Sequence, residues 1–183
     1  MAIRARKKSS QGKRGGVRKA NARRGGAASA KTSAAVLLRE LVDQRAIESG
    51  IIAYAHALDS RDYARLATFM KPDVRVKYGD APLLHGVLAA EQYCRRALDW
   101  LDSSQHRLSS IDIQLDGDRA TSTSYVCAEH LKRGLTEGER YTVGGSYLDA
   151  WERTRAGWRI AERTLVVGWT EGNPGVLGGG VRT

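Results

Sequence analysis

The first 38 residues contain no acidic side chain, while Arg4, Arg6, Lys7, Lys8, Lys13, Arg14, Arg18, Lys19, Arg23, Arg24 and Lys31 supply 11 positive charges. The remaining chain holds 30 − 11 = 19 basic and 20 acidic residues, a net of −1, so the overall +10 belongs entirely to the N-terminus. The remainder is near neutral and is not built to hold a polyanion. Apolar runs of eighteen residues are also missing, so no membrane-spanning helix is expected. The start lacks the apolar stretch of a secretory signal. Cysteine is nearly absent: Cys94 and Cys127 form no C-x-x-C pair, which argues against a zinc site or a disulfide framework. Two reduced, buried thiols in a cytoplasmic protein are the expectation. No G-x-S-x-G, P-loop or strand-linked G-x-G-x-x-G pattern occurs. No two histidines have ligand spacing with a nearby cysteine or acid, so no metal is expected.

Residues 1–34 are mostly Lys, Arg, Gly, Ala and Ser, too poor in apolar groups to offset their ordering entropy, and read as a basic disordered tail. Such a tail suits non-specific polyanion contact by counterion release. A transit peptide would need an amphipathic stripe that is not there, and a start placed too far upstream would leave the same kind of tail. Residues 35–173 read as one domain, and 174–183 as a Gly-rich C-terminal tail. Leu37, Leu38, Leu41 and Val42 make a short helical stripe, which Asp43 breaks or caps. Ile47, Ile51, Tyr54 and Leu58 then recur at helical spacing and predict a helix ending near Asp59. A second helix is expected over 62–70, with Ser60 or Asp59 as its N-cap, and a third over 88–101. Val74 to Tyr78 alternates as a strand. Four further strands are expected over 105–115, 119–131, 140–153 and 157–169, joined by short turns such as Asp116-Gly117-Asp118. This is an antiparallel meander that follows the helices, hence an α+β fold with helices covering one sheet face.

Two side chains stand out for chemistry. Asp59 ends the amphipathic helix, where an N-cap of the following helix is an equally available role. His106 opens a strand, where a surface or satisfied core histidine is the commoner outcome. A histidine titrates near neutrality and transfers protons when a carboxylate holds its other nitrogen. By alternation His106 shares a face with Leu108 and Ser110, opposite Ile111, Ile113 and Leu115. His56, His85 and His130 carry no such case. A sheet folded over helices leaves a pocket between them, and the same-face residues of the later strands are Tyr141, Val143, Gly145, Tyr147, Asp149 and Trp151 on one, and Arg163, Leu165, Val167 and Trp169, opposite in parity to Trp158 and Ile160, on the next. Gly144-Gly145 suggests a bend.

The run Ala46-Ile47-Glu48-Ser49-Gly50-Ile51-Ile52-Ala53-Tyr54-Ala55-His56-Ala57-Leu58-Asp59-Ser60-Arg61-Asp62-Tyr63 resembles the opening of SnoaL-like domains of the nuclear transport factor 2-like superfamily. Ser104-Gln105-His106, Gly144 to Asp149, and Gly157-Trp158-Arg159-Ile160 leading to Arg163 and Trp169 extend the resemblance over about 36–170. It implies a cone-shaped α+β barrel, a curved, mostly antiparallel sheet wrapped around three N-terminal helices. The pattern is most similar to the scytalone dehydratase, hexachlorocyclohexane dehydrochlorinase and bile-acid 7α-dehydratase type, whose Asp–His pair matches Asp59 and His106. By the same resemblance Tyr54 and Arg163 join the catalytic set, Tyr147, Trp151 and Trp169 line the substrate cavity, and no cofactor is needed. A second pocket histidine of scytalone dehydratase has no evident counterpart. The implied activity is a dehydratase-type elimination on a small hydrophobic or polycyclic substrate. An isomerase or polyketide-type cyclase, or a non-catalytic binding module, are the alternatives. The resemblance also implies a homo-oligomer, dimer or trimer, for which Ile111, Ile113 and Leu115 offer an apolar outer face.

Overall fold

The computed structural model describes residues 21–178, with side chains from residue 33 onward. It divides the chain into a first unit up to Arg39 and a second, Glu40–Thr183, which carries the sheet. Helix α1 spans Asn21–Asp59. It therefore begins before residue 35, where order was expected; Ala27, Ala28, Ala30, Ala34 and Ala35 give that stretch high helix propensity. The rest of the basic tail, residues 1–20, lies outside the described residues, as do 179–183.

In the second unit, α1 is followed by a 3-10 turn, Tyr63–Thr68, in place of the expected second α-helix. Strands β1 (Met70–Tyr78) and β2 (Leu84–His85), helix α2 (Val87–Leu98), and strands β3 (Ser103–Asp116), β4 (Arg119–Leu131), β5 (Arg140–Thr154) and β6 (Gly157–Gly172) complete the order. The six strands form one curved, open sheet ordered β2-β1-β6-β5-β4-β3. Only β1 and β6 run parallel. The meander from β3 to β6 brings its last strand beside β1, which leaves β2 and β3 as the edges. Among the described residues, no helix is long and apolar enough to cross a membrane.

Asp43 neither breaks nor caps α1. Its carboxylate accepts two bonds from the Arg153 guanidinium, at 2.7 and 2.6 Å, and one from Trp158 Nε1 at 3.0 Å. This ties the helix to the β5–β6 hairpin. One turn on, Ile47, Ile51, Tyr54 and Leu58 are buried as the spacing predicts, whereas Leu41 and Val42 are exposed. Gly50 lies on the same buried face, where a Cβ would sit 2.9 Å from Cη2 of Trp151. The indole is itself fully buried and pinned by its Nε1 bond to Ser122 Oγ, so it cannot retreat. Gly50→Ala should therefore destabilise the protein by about 1–3 kcal/mol through overpacking, although alanine is the better helix former by about 1 kcal/mol. Urea unfolding measures the balance, and a stabilised variant would contradict it.

Three bulges within the β3–β6 meander decide which of its residues face inward. In β3 the pairing shifts between Ser109 and Asp112, and Ser110 adopts a left-handed φ of 50°. The shift reverses the alternation, so His106 and Leu108 share the inner face with Ile111, Ile113 and Leu115. The last three pack on the core and do not offer the outer face expected of them. That face instead exposes Tyr125, Leu148, Val166 and Trp169. A second shift, between Ala150 and Trp151, lets Trp158, Ile160 and Arg163 all point inward. The third separates Gly144 from Gly145 and turns Trp169 outward. Of the expected C-terminal tail, the described residues to 178 dock: Asn173 caps a 3-10 turn, Pro174–Leu177, and Val176 and Leu177 are buried.

Candidate active site

Helix α1 stops at Asp59 because the chain leaves helical geometry there. Ser60 N–H and Oγ both donate to the His56 carbonyl, and Arg61 turns left-handed at φ 61°. The expected N-cap role is not taken up, since no side chain caps the 3-10 turn. The Asp59 carboxylate faces the start of β3 instead. Its Oδ1 lies 2.7 Å from His106 Nδ1, its Oδ2 accepts the His106 backbone N–H at 2.9 Å, and Ser104 Oγ donates to Oδ1 at 3.3 Å. Burial alone would raise the proton affinity of Asp59, but the bonds from the His106 imidazole and backbone, with Ser104, outweigh it and hold the carboxyl below its ordinary range. Its stabilising contribution is thus present above the unfolded-chain carboxylate range and is lost as the pH falls through the lowered folded value. An ionised Asp59 can only accept, so Nδ1 of His106 keeps its proton and donates it in the hydrogen bond, which leaves Nε2 as the lone-pair nitrogen.

His106 lines a largely apolar cavity of about 70 Å³. Its walls are Tyr54 and Leu58 of α1, Tyr78 of β1, and Tyr93, Cys94, Ala97 and Leu98 of α2, with Val126, Ala128 and His130 of β4, Val143 and Tyr147 of β5, and Leu165 of β6. Leu177 of the C-terminal turn completes it. Burial pushes Tyr54 and Tyr78 well above their ordinary range, Tyr147 and Tyr93 to about 12, and Cys94 to about 11. All five are therefore neutral at physiological pH. Tyr54 and Tyr78 share a 2.7 Å hydroxyl–hydroxyl bond, and the Tyr78 hydroxyl lies 3.6 Å from Cys94 Sγ.

The structure adds His130, to which the spacing gave no role. Its ring meets that of His106 edge to face, with centroids 5.7 Å apart. Its Nδ1 lies 3.1 Å from the Tyr141 carbonyl, which can only accept, so this nitrogen carries the proton. Burial first, then the neighbouring His106, pushes its pKa down to about 4. Between that value and the ordinary 6.5 the unfolded chain binds more protons than the folded one, so stability falls as the pH drops through this window. The full effect is about 3 kcal/mol. His130→Gln should flatten the loss of melting temperature between pH 7 and 4.5; an unchanged slope would assign the acid sensitivity elsewhere. His130 was hidden by the β3 bulge. Counting back from the Asp116↔Arg119 pair without a bulge sets His106 opposite Glu129, whereas the observed partner is Ala128, and Ser104 faces His130. The phase change from His106 and Leu108 to Ile111 and Ile113 was the one signal available. Tyr78, Cys94 and Leu177 were missed because separate elements bring them together.

Three expected site residues lie elsewhere. Trp169 is 52% exposed on the outer face, lying over Gly144. Trp151 is buried against Gly50 and is absent from the cavity wall. Arg163 is fully buried but also absent from the wall. Its Nε and Nη2 each donate to Asp149 at 2.7 Å, and its guanidinium lies 4.0 Å from the Tyr54 ring centre and 4.4 Å from that of Tyr147. Burial works against this charge, and the Asp149 carboxylate outweighs it. Arg163 supports the two tyrosines from behind. Among the described residues, no group of three His, Cys, Asp or Glu is placed to hold a metal ion.

Comparison with known proteins agrees with this architecture. Residues 39–164 match the sequence model of the SnoaL-like domain. An uncharacterized protein of Mycobacterium tuberculosis is 27% identical over 128 residues, 68% of this chain and 84% of that one. The fold is shared with a Kribbella flavida protein at a TM-score of 0.68 and 21% identity, covering 72% of this chain and 95% of the other. A scytalone-dehydratase-like protein of Novosphingobium aromaticivorans gives 0.67 and 24%, covering 73% and 89%. A hexachlorocyclohexane dehydrochlorinase of Novosphingobium barchaimii gives 0.66 and 16%, covering 75% and 94%. With the model match spanning most of the chain and the open sheet over helices in place, this protein belongs to the SnoaL-like domain family.

Proposed function

We propose that the protein is a cofactor-free lyase that removes a proton from carbon inside this cavity and expels a leaving group from the neighbouring carbon. The observation that carries the reading is the 2.7 Å contact between Asp59 and His106 at the wall of a largely apolar pocket. His106 Nε2 takes the proton next to an activating carbonyl, and Asp59 stabilises the imidazolium that forms. The Tyr54–Tyr78 hydroxyl pair, neutral at working pH, donates to the carbonyl oxygen as negative charge develops there. The His106 imidazolium then returns its proton to the departing hydroxyl, which leaves as water, so the pair ends the cycle as it began; His130, also neutral, borders it without taking up charge. Among the described residues no lysine or arginine lines the cavity, which favours an uncharged, hydrophobic substrate.

Incubation in D2O with a panel of uncharged β-hydroxy ketones tests the first step separately from the second. Wild-type protein should exchange the carbon-bound proton for deuterium and yield products lighter by one water. Exchange without loss of water would assign an isomerase or cyclase that uses the same base. Exchange that persists in His106→Ala would remove His106 from the mechanism. We further propose that the outer patch of Tyr125, Leu148, Val166 and Trp169 is where copies of the chain associate. Light scattering should report a smaller assembly for Tyr125→Lys with Val166→Lys.

A further inference from the structure

Arg61 follows the catalytic helix by two residues and does something costly. It holds a left-handed backbone, φ 61°, a conformation that side-chain-bearing residues rarely adopt and that glycine adopts freely. Its guanidinium nevertheless stays half-buried. One nitrogen, Nη1, donates to the Leu58 carbonyl at 2.8 Å and to Ser104 Oγ at 2.7 Å. A hydroxyl that accepts from a cation is left free to donate its own proton, and that proton goes to Asp59 Oδ1. The chain Arg61–Ser104–Asp59 is therefore directional and ends on the carboxylate, which accepts from His106 as well.

We propose that Arg61 is a positioning residue of the Asp59–His106 pair: through Ser104 it fixes the carboxylate that holds the imidazole, and its fixed positive charge disfavours a second one on the neighbouring His130 ring. The proposal rests on reading His106 as the proton acceptor. Among the described residues, the ionisable groups around the two imidazoles are Asp59 and Tyr54 of α1, Arg61 after it, Tyr78 of β1, Tyr93 and Cys94 of α2, and Tyr147 of β5, with Glu129 of β4 and Arg140 of β5 beside His130 in a second cleft. Asp59 and Arg61 act on His130 in opposite directions. Arg61 is among the groups that lower the proton affinity of His130. A simple C-terminal brace for α1 would not need the contact to Ser104. A glycine would satisfy the backbone better.

The two readings separate in an experiment that needs no substrate. The imidazole nitrogens of the full-length 15N-labelled protein are titrated by NMR from pH 4 to 9, with His106→Gln and His130→Gln assigning the signals. Arg61→Gly should fold at least as stably as wild type, because glycine suits the left-handed position. Its His130 midpoint should rise by about half a pH unit, roughly a threefold gain in proton affinity. Arg61→Asn, which also tolerates this backbone, should behave alike and covers the case in which glycine loosens the turn. Arg61→Lys should restore part of the shift by returning the charge. Superimposable titrations in wild type and Arg61→Gly, with or without a lowered melting temperature, would overturn the proposal. Because nothing is turned over, that result would leave the lyase reading to its own deuterium-exchange test.

Discussion

Asp59→Asn should lower turnover, read as deuterium exchange at the substrate carbon, by at least about a hundredfold while the protein remains folded. The reason is the direction of one hydrogen bond. Asparagine can still accept the His106 backbone N–H through its oxygen. That leaves its NH2 group facing Nδ1, where the imidazole must now accept. The proton moves to Nε2, and the nitrogen that faces the cavity loses its lone pair. The charge that stabilises an imidazolium disappears as well. Far-UV circular dichroism should be unchanged, because the helix end is set by Ser60 and Arg61 and not by the carboxylate. Exchange rates within a few-fold of wild type would mean that His106 does not depend on Asp59 for its tautomer.

The largest stability effect is expected at Arg163. Replacing it by methionine should cost about 3–5 kcal/mol, because it strands Asp149 as an uncompensated charge in the interior. Both side chains of the pair have 0% exposure, so no solvent can take over either half of the bidentate contact. Tyr54 and Tyr147 would also lose the guanidinium on which their rings rest. Replacing both partners, Arg163→Met with Asp149→Leu, should recover most of the loss, since two apolar groups leave no charge unpaired. Urea unfolding of the three proteins gives the comparison. A single variant as stable as wild type would show that the pair does not hold this part of the core.

What could be read in advance follows from periodicity. The alternation and the turn residues between 103 and 172 predict all four meander strands, with shifts of only a few residues at their ends. The buried stripe of Ile47, Ile51, Tyr54 and Leu58 likewise predicts the face of α1. These patterns are legible because each depends on neighbours two, three or four residues apart. The exposed Leu41 and Val42 show the limit: an apolar stripe says what could be buried, not whether anything covers it.

The sequence by itself determined an α+β chain with a helix ending at Asp59, a strand opening at His106, and the family resemblance that joins them. Tertiary structure alone decided which other side chains meet that pair. Three one-residue bulges did most of this. One put His130 beside His106, one brought Trp158 and Ile160 to the inner face that Arg163 shares, and one turned Trp169 to the outside. A single extra residue reverses the face of every later position in its strand, yet its energetic origin lies in how two strands fit over a common core. Leu177 reached the cavity wall for a similar reason, because the last turn docks onto surfaces built from strands far away in the sequence. Local pattern therefore set the elements, and long-range packing set the register that turns two candidate residues into a site.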